Sequence, residues 1–128
     1  MNKTIFSKFT LILILLSGCS TQPLLPPAPN SIASKVIFLN ELSDIAFGDL
    51  RSIAVNGFLT VEAELINNSS SSNSLQYRFQ WRDKNGMAVG VEETWKVLNF
   101  SPSQAQHIKG IATSKQAVDF KLELQSNN

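Results

Sequence analysis

Few side chains in this sequence could do chemistry, and their spacing argues against most of it. His107 is the single histidine, so a Ser-His-Asp relay would have to use it. The serines cluster in polar runs and no G-x-S-x-G elbow is present, so His107 reads as a surface or strand-edge residue. The pair Glu92-Glu93 would suit cation binding or acid–base work. Neighbours in a strand point to opposite faces, so the pair reads as solvated charge instead. Tyr77, Phe79, Trp81 and Trp95 would suit a ligand groove, but aromatics at period two read as core. Arg51, Arg78 and Arg82 offer a basic strip to an anionic glycan or lipid head group, in competition with pairing to Glu62 and Glu64. One histidine and one cysteine, Cys19, exclude a multi-His metal centre, a Cys-rich zinc site and an internal disulfide. No catalytic, cofactor-binding or metal-binding residue is assigned. With 11 basic against 10 acidic residues, the chain is not a polybasic nucleic-acid binder.

Cys19 follows a layout of its own. Lys3 and Lys8 are the only charges before it, and residues 9–16, FTLILILL, form a compact apolar run. That run is too short for a bilayer-spanning helix of ~20 residues and has the form of a secretory signal. Its end, Leu16-Ser17-Gly18-Cys19, resembles the lipobox of bacterial lipoproteins. The resemblance implies cleavage before Cys19, diacylglycerol on its sulfur and acylation of the new amino terminus. The thiol is then a thioether, and several acyl chains together anchor stably. Ser20, where an aspartate would imply inner-membrane retention, points to the outer membrane and its periplasmic side. Loss of Lys3 and Lys8 takes the chain from +1 to −1.

The expected organisation is therefore a leader at 1–18, an acylated cysteine with a tether at 19–33, and one domain at 34–128. Pro23, Pro26, Pro27 and Pro29 favour polyproline II in the tether. Fourteen residues at ~3.1 Å each span roughly 40 Å. The domain reads at period two. Leu59, Val61, Ala63 and Leu65 alternate with Thr60, Glu62 and Glu64. Leu75, Tyr77, Phe79 and Trp81 alternate with Gln76, Arg78, Gln80 and Arg82, and Val118, Phe120, Leu122 and Leu124 repeat the pattern. Asn56-Gly57 predicts a two-residue hairpin turn pairing Ala54 with Leu59, Ser52 with Val61 and Arg51 with Glu62. Pairing onward across the Ser/Asn run at 67–74 sets Leu65 near Leu75, Val61 near Phe79 and Glu62 near Arg78. Further strands are expected at 36–39, 87–91, 94–100 and 106–112, with a turn at 101–104. Seven to eight short strands predict an all-β, antiparallel, immunoglobulin-like sandwich.

The segment Tyr77-Arg78-Phe79-Gln80-Trp81-Arg82-Asp83-Lys84-Asn85-Gly86 carries a more specific likeness. With the leader and a later tryptophan, Trp95, it resembles the YcfL-type lipoproteins of the Gram-negative envelope. The resemblance covers roughly residues 36–124 and implies a β-sandwich without assigned catalytic residues. Gene neighbourhoods in that family imply a link to cell-wall assembly. The functional expectation is a non-catalytic protein-interaction module, anchored in the outer membrane through Cys19 and engaging an envelope protein partner. The alternative is a periplasmic lipoprotein that binds a small ligand or glycan. The candidate interface is Ile53, Val55 and Phe58, which with Ile66 face away from the Leu59/Val61 side, together with Arg78 and Arg82. A second layer or a bulge covering that patch would remove it.

Overall fold

A strand that alternates apolar and polar residues buries one side and needs a second layer to bury it against. The computed structural model supplies that layer. It describes residues 31–127 together with Leu25, Pro26 and Ala28; the leader, Cys19 and most of the tether lie outside the described residues. The elements are α1 (Ile32–Lys35), β1 (Val36–Phe38), β2 (Ile45–Val55), β3 (Phe58–Asn67), β4 (Asn73–Arg82), β5 (Lys96–Phe100), β6 (Ala105–Ile111) and β7 (Asp119–Ser126). They form two sheets, a four-stranded one in the order β1-β7-β4-β5 and a three-stranded one in the order β2-β3-β6. The expected sandwich is thus present, with seven strands. All pairs are antiparallel except β1 with β7, which run parallel.

The hairpin register is as expected. Ala54 faces Leu59, Ser52 faces Val61 and Arg51 faces Glu62. Asn56 and Gly57 both take positive φ, at 51° and 82°, the backbone twist that a two-residue turn between strands requires. The next pairing is different. β3 and β4 lie in different sheets, so Leu65, Val61 and Glu62 are not strand partners of Leu75, Phe79 and Arg78. The Ser/Asn segment carries the chain across the sandwich. A five-residue loop leaves enough slack for a crossover, whereas the Asn-Gly turn permits only a hairpin. Residues 87–91 make no strand; only Ala88 bridges to Arg82.

Leu59, Val61, Ala63 and Leu65 from β3 meet Leu75, Phe79 and Trp81 from β4 and Phe120, Leu122 and Leu124 from β7 in one buried cluster. Phe79 stacks on Trp81 with centroids 5.4 Å apart and meets Phe120 edge-on at 6.3 Å. Gly110, in β6 opposite Val61, lets the Phe79 ring approach. A Cβ there would lie 2.4 Å from a ring carbon. The two sheets are therefore keyed together at Phe79 and Gly110.

The strands define two ends. At one end lie α1, the Asn56-Gly57 tip, the 83–87 turn and the 112–118 loop. Lys35 makes an ion pair with Asp119, and Lys115 sits 5.3 Å from the Phe58 ring centroid. At the other end the 39–44, 68–72 and 101–104 segments meet. Asn67 holds the last two: its amide nitrogen donates to the Ser71 and Ser101 carbonyls at 2.8 and 3.0 Å, and its oxygen accepts from the Ser69 N–H at 3.1 Å. Full burial of this amide is tolerated because its hydrogen bonds are made.

Candidate functional site

The outer face of the three-stranded sheet is open to solvent along most of β2. Residues at 51, 53 and 55 share one side of β2, as do 58, 60 and 62 on β3 and 109 and 111 on β6. Ile53 stands opposite Thr60, and Thr60 opposite Ile111. Thr60 is buried between them, while Ile53 and Ile111 are 66% and 55% exposed. Val55, beside the tip, is also exposed, but Phe58 is half-buried beneath Lys115. Ile66 is half-buried as well. The bulge that interrupts this pair lies at Phe47–Leu50 and leaves the patch open. A charged row runs beside the apolar strip: Arg51, Glu62 and Lys109 are successive cross-strand neighbours. Lys109 reaches Glu62 at 3.3 Å and Arg51 reaches Asp49 at 2.8 Å. Ile53, Val55 and Thr60 line a solvent-open groove of about 670 Å³ together with the charged row.

The arginines of the expected strip do not come together. Arg51 is on β2, whereas Arg78 and Arg82 are on β4 in the other sheet. Glu62 lies between Arg51 and Lys109 rather than between two arginines. Arg78 is occupied within its own sheet. Its Nε donates to Glu123 at 2.5 Å and its Nη1 to Glu92 at 2.6 Å. Trp95 covers it, with the guanidinium carbon 4.6 Å from the ring centroid. The hydrogen bond to Glu123, with the charges of Glu123 and Glu92, outweighs burial and holds Arg78 above its ordinary pKa. Glu123 is only 7% exposed and also accepts from Gln80 at 2.6 Å. Arg82 donates to the Gly86 carbonyl at 2.8 Å and to Gln80 at 3.1 Å. Its Nε is buried with no hydrogen-bond partner among the described residues.

The aromatics divide accordingly. Phe79 and Trp81 are core, Tyr77 is half-buried against Phe79, and Trp95 is not core but the cover over Arg78. Glu92 is solvated as expected, but Glu93 is not: the pair lies outside any strand and the Glu93 side chain is 14% exposed. Glu93 does something the sequence pattern missed. β5 pairs with β4 only as far as Tyr77, so the Phe79 N–H has no strand beside it. The Glu93 carboxylate accepts from that N–H and from the Trp81 indole N–H, both at 3.2 Å, and pairs with Lys96 at 3.0 Å. It closes an open sheet edge. Ile111 was also missed as part of the apolar strip; its place at period two from Lys109 and His107, on their face of β6, was the available signal. His107 lies on the exposed face near Glu64, at 3.7 Å. Among the described residues no group of His, Cys, Asp or Glu is placed to hold a metal ion, and no helix is long and apolar enough to cross a membrane.

Two keyed sheets, one outer face internally paired and the other bare, define a small β-sandwich. Residues 31–126 match the model of a family described as protein of unknown function (DUF1425), and the chain belongs to that family. A solved DUF1425 family member from Shewanella sp. pv-4 is similar at 27% identity and a TM-score of 0.60, over 66% of this chain and 79% of that one. The crystal structure of Campylobacter jejuni cj0090 shares the fold at 24% identity and a TM-score of 0.63, over 73% of this chain and 98% of that one. No curated protein matches the chain. The family description names no catalytic activity.

Proposed function

We propose that this protein is a YcfL-type envelope lipoprotein whose β-sandwich is a non-catalytic protein-interaction module. It is cleaved before Cys19, acylated there, and held on the periplasmic side of the outer membrane, where it supports a cell-wall-building assembly. The observation that carries the interaction reading is the bare strip of Ile53, Val55 and Ile111 beside the Arg51–Glu62–Lys109 row. An apolar centre with a charged rim is the pattern of a protein interface. A hairpin of defined register presents this face. A glycan or small-ligand role ranks second. The groove is open rather than enclosing, Lys109 already pairs with Glu62, and the exposed side chains are aliphatic rather than aromatic.

The test is in vivo photo-crosslinking from positions 53 and 111. The expected result is a discrete protein adduct that disappears with Val55→Asp and with Cys19→Ser. An adduct profile unchanged by Val55→Asp, in a protein that stays folded, overturns the interface. A Cys19→Ser variant that remains in the membrane fraction overturns the anchor.

A further inference from the structure

Charge is not spread evenly along the sandwich. Lys35, Arg82, Lys84, Lys115 and Lys121 lie toward the end from which the tether leaves, with Asp83 and Asp119 among them and Glu92 and Glu93 beside Arg78 and Trp81 at its inner margin. The opposite end holds Glu41 and Asp44 and no basic residue among the described residues. The mature chain, at −1 overall, is therefore polarised, cationic at the tether end and anionic at the far end. Apolar side chains are exposed at both ends, and at the far end these are Phe38 and Leu39, at 48% and 51%. Met87 and Val118 are 66% and 60% exposed, and both hang from the end of β4: the Met87 carbonyl accepts from Asp83, and the Val118 N–H donates to Arg82. The far 68–72 and 101–104 loops contain only Ser, Asn, Pro and Gln. Lys84 has no ion-pair partner among the described residues.

We infer that the tether end of the sandwich is a lipid-contacting surface, which rests on the phospholipid leaflet that holds the acyl anchor. The inference depends on the anchoring at Cys19 proposed above. Eleven residues separate Cys19 from Ser31, a reach of roughly 34 Å in polyproline II. A tether of that length makes the contact effectively intramolecular, so a weak surface is enough to be populated. Lysines at the head-group level attract anionic lipid, and small apolar side chains enter the head-group boundary. The strands then stand upright on the membrane. The Ile53–Ile111 strip faces sideways, open to a partner in the same leaflet plane.

The test uses the mature, acylated protein in vesicles of phosphatidylethanolamine and phosphatidylglycerol. With Cys19 acylated, a second cysteine is a unique labelling site. A fluorescent label is placed at Gln116→Cys or at Ser71→Cys, and spin-labelled lipid is the quencher. Quenching several-fold stronger at 116 than at 71 is expected. Combining Lys84→Glu with Lys115→Glu, or Met87→Asp with Val118→Asp, should bring 116 down to the level of 71 without moving the unfolding midpoint. Equal quenching at the two positions overturns the inference, as does quenching at 116 that neither double variant reduces. Fractionation of Cys19→Ser separates the two ideas. If that variant leaves the membrane while 116 and 71 quench alike, the anchor stands and only the lipid contact fails. If it stays, the anchor fails and the tether argument falls with it.

Discussion

The two outer faces of this sandwich use similar residues for opposite ends. On the four-stranded sheet, Arg78, Glu123, Gln80 and Arg82 bond to one another, and Trp95 covers the centre. On the three-stranded sheet, the Arg51–Glu62–Lys109 row stays in water and the isoleucines beside it are bare. The difference is burial. A carboxylate as enclosed as Glu123 must be paired, so its neighbours are committed to it. Glu62, half-exposed, is contacted by a lysine yet free to exchange it for a partner. The first face maintains the fold, and the second is available for binding.

The largest expected effect comes from breaking the committed face. Glu123→Ala leaves Arg78 half-enclosed and short of its main partner, and should destabilise by about 2–4 kcal/mol. Urea unfolding would measure it, and a loss under about 1 kcal/mol would place the network with ordinary surface charge. Next comes the joint between the sheets. Gly110→Ala drives a methyl group into the Phe79 ring and should cost about 1–3 kcal/mol, read as a lower thermal midpoint.

A smaller effect is tied to pH. Burial pushes the Asp119 carboxyl up, but hydrogen bonds from Lys35 and the Phe120 N–H, with the charges of Lys35 and Lys121, hold it below its ordinary 3.8. A depressed carboxylate stabilises the folded state above its unfolded value and loses that contribution as pH falls through the folded value. Stability should therefore drop below about pH 4, and Asp119→Asn should shrink that drop; an identical acid profile in the variant would remove Asp119 from the account. The smallest effect belongs to the bare face. Val55→Asp should shift stability by no more than about 0.5 kcal/mol while abolishing partner crosslinks, and a large stability loss would show that the strip is structural after all.

Much of this was legible in the chain. The β2–β3 hairpin was readable to the residue, because a two-residue Asn-Gly turn leaves one register and alternation then assigns every face. The core aromatics of β4 were readable for the same reason. The β3–β4 pairing was not, because nothing local says whether a loop turns within a sheet or crosses between two. Trp95 read as core together with the period-two aromatics of β4; its place over Arg78 depends on a segment without strand periodicity. The Glu93 contact was hidden because it replaces a missing strand, and only the shortness of β5 creates the gap it fills.

The sequence by itself determined the alternation, the hairpin and the likeness of its first nineteen residues to a lipoprotein leader. These rest on local physics: side-chain period, turn sterics and the order of charge, apolar run and cysteine. Tertiary structure alone decided which charges are spent and which are free. Arg51 and Arg78 look equivalent along the chain, yet one lies in water and the other bonds to a carboxylate 45 positions away. It also decided that a nearly neutral domain gathers basic residues at the end where Ser31 and α1 lie. Burial and polarity along an axis are sums over residues distant in sequence, and they exist only once the strands have been placed.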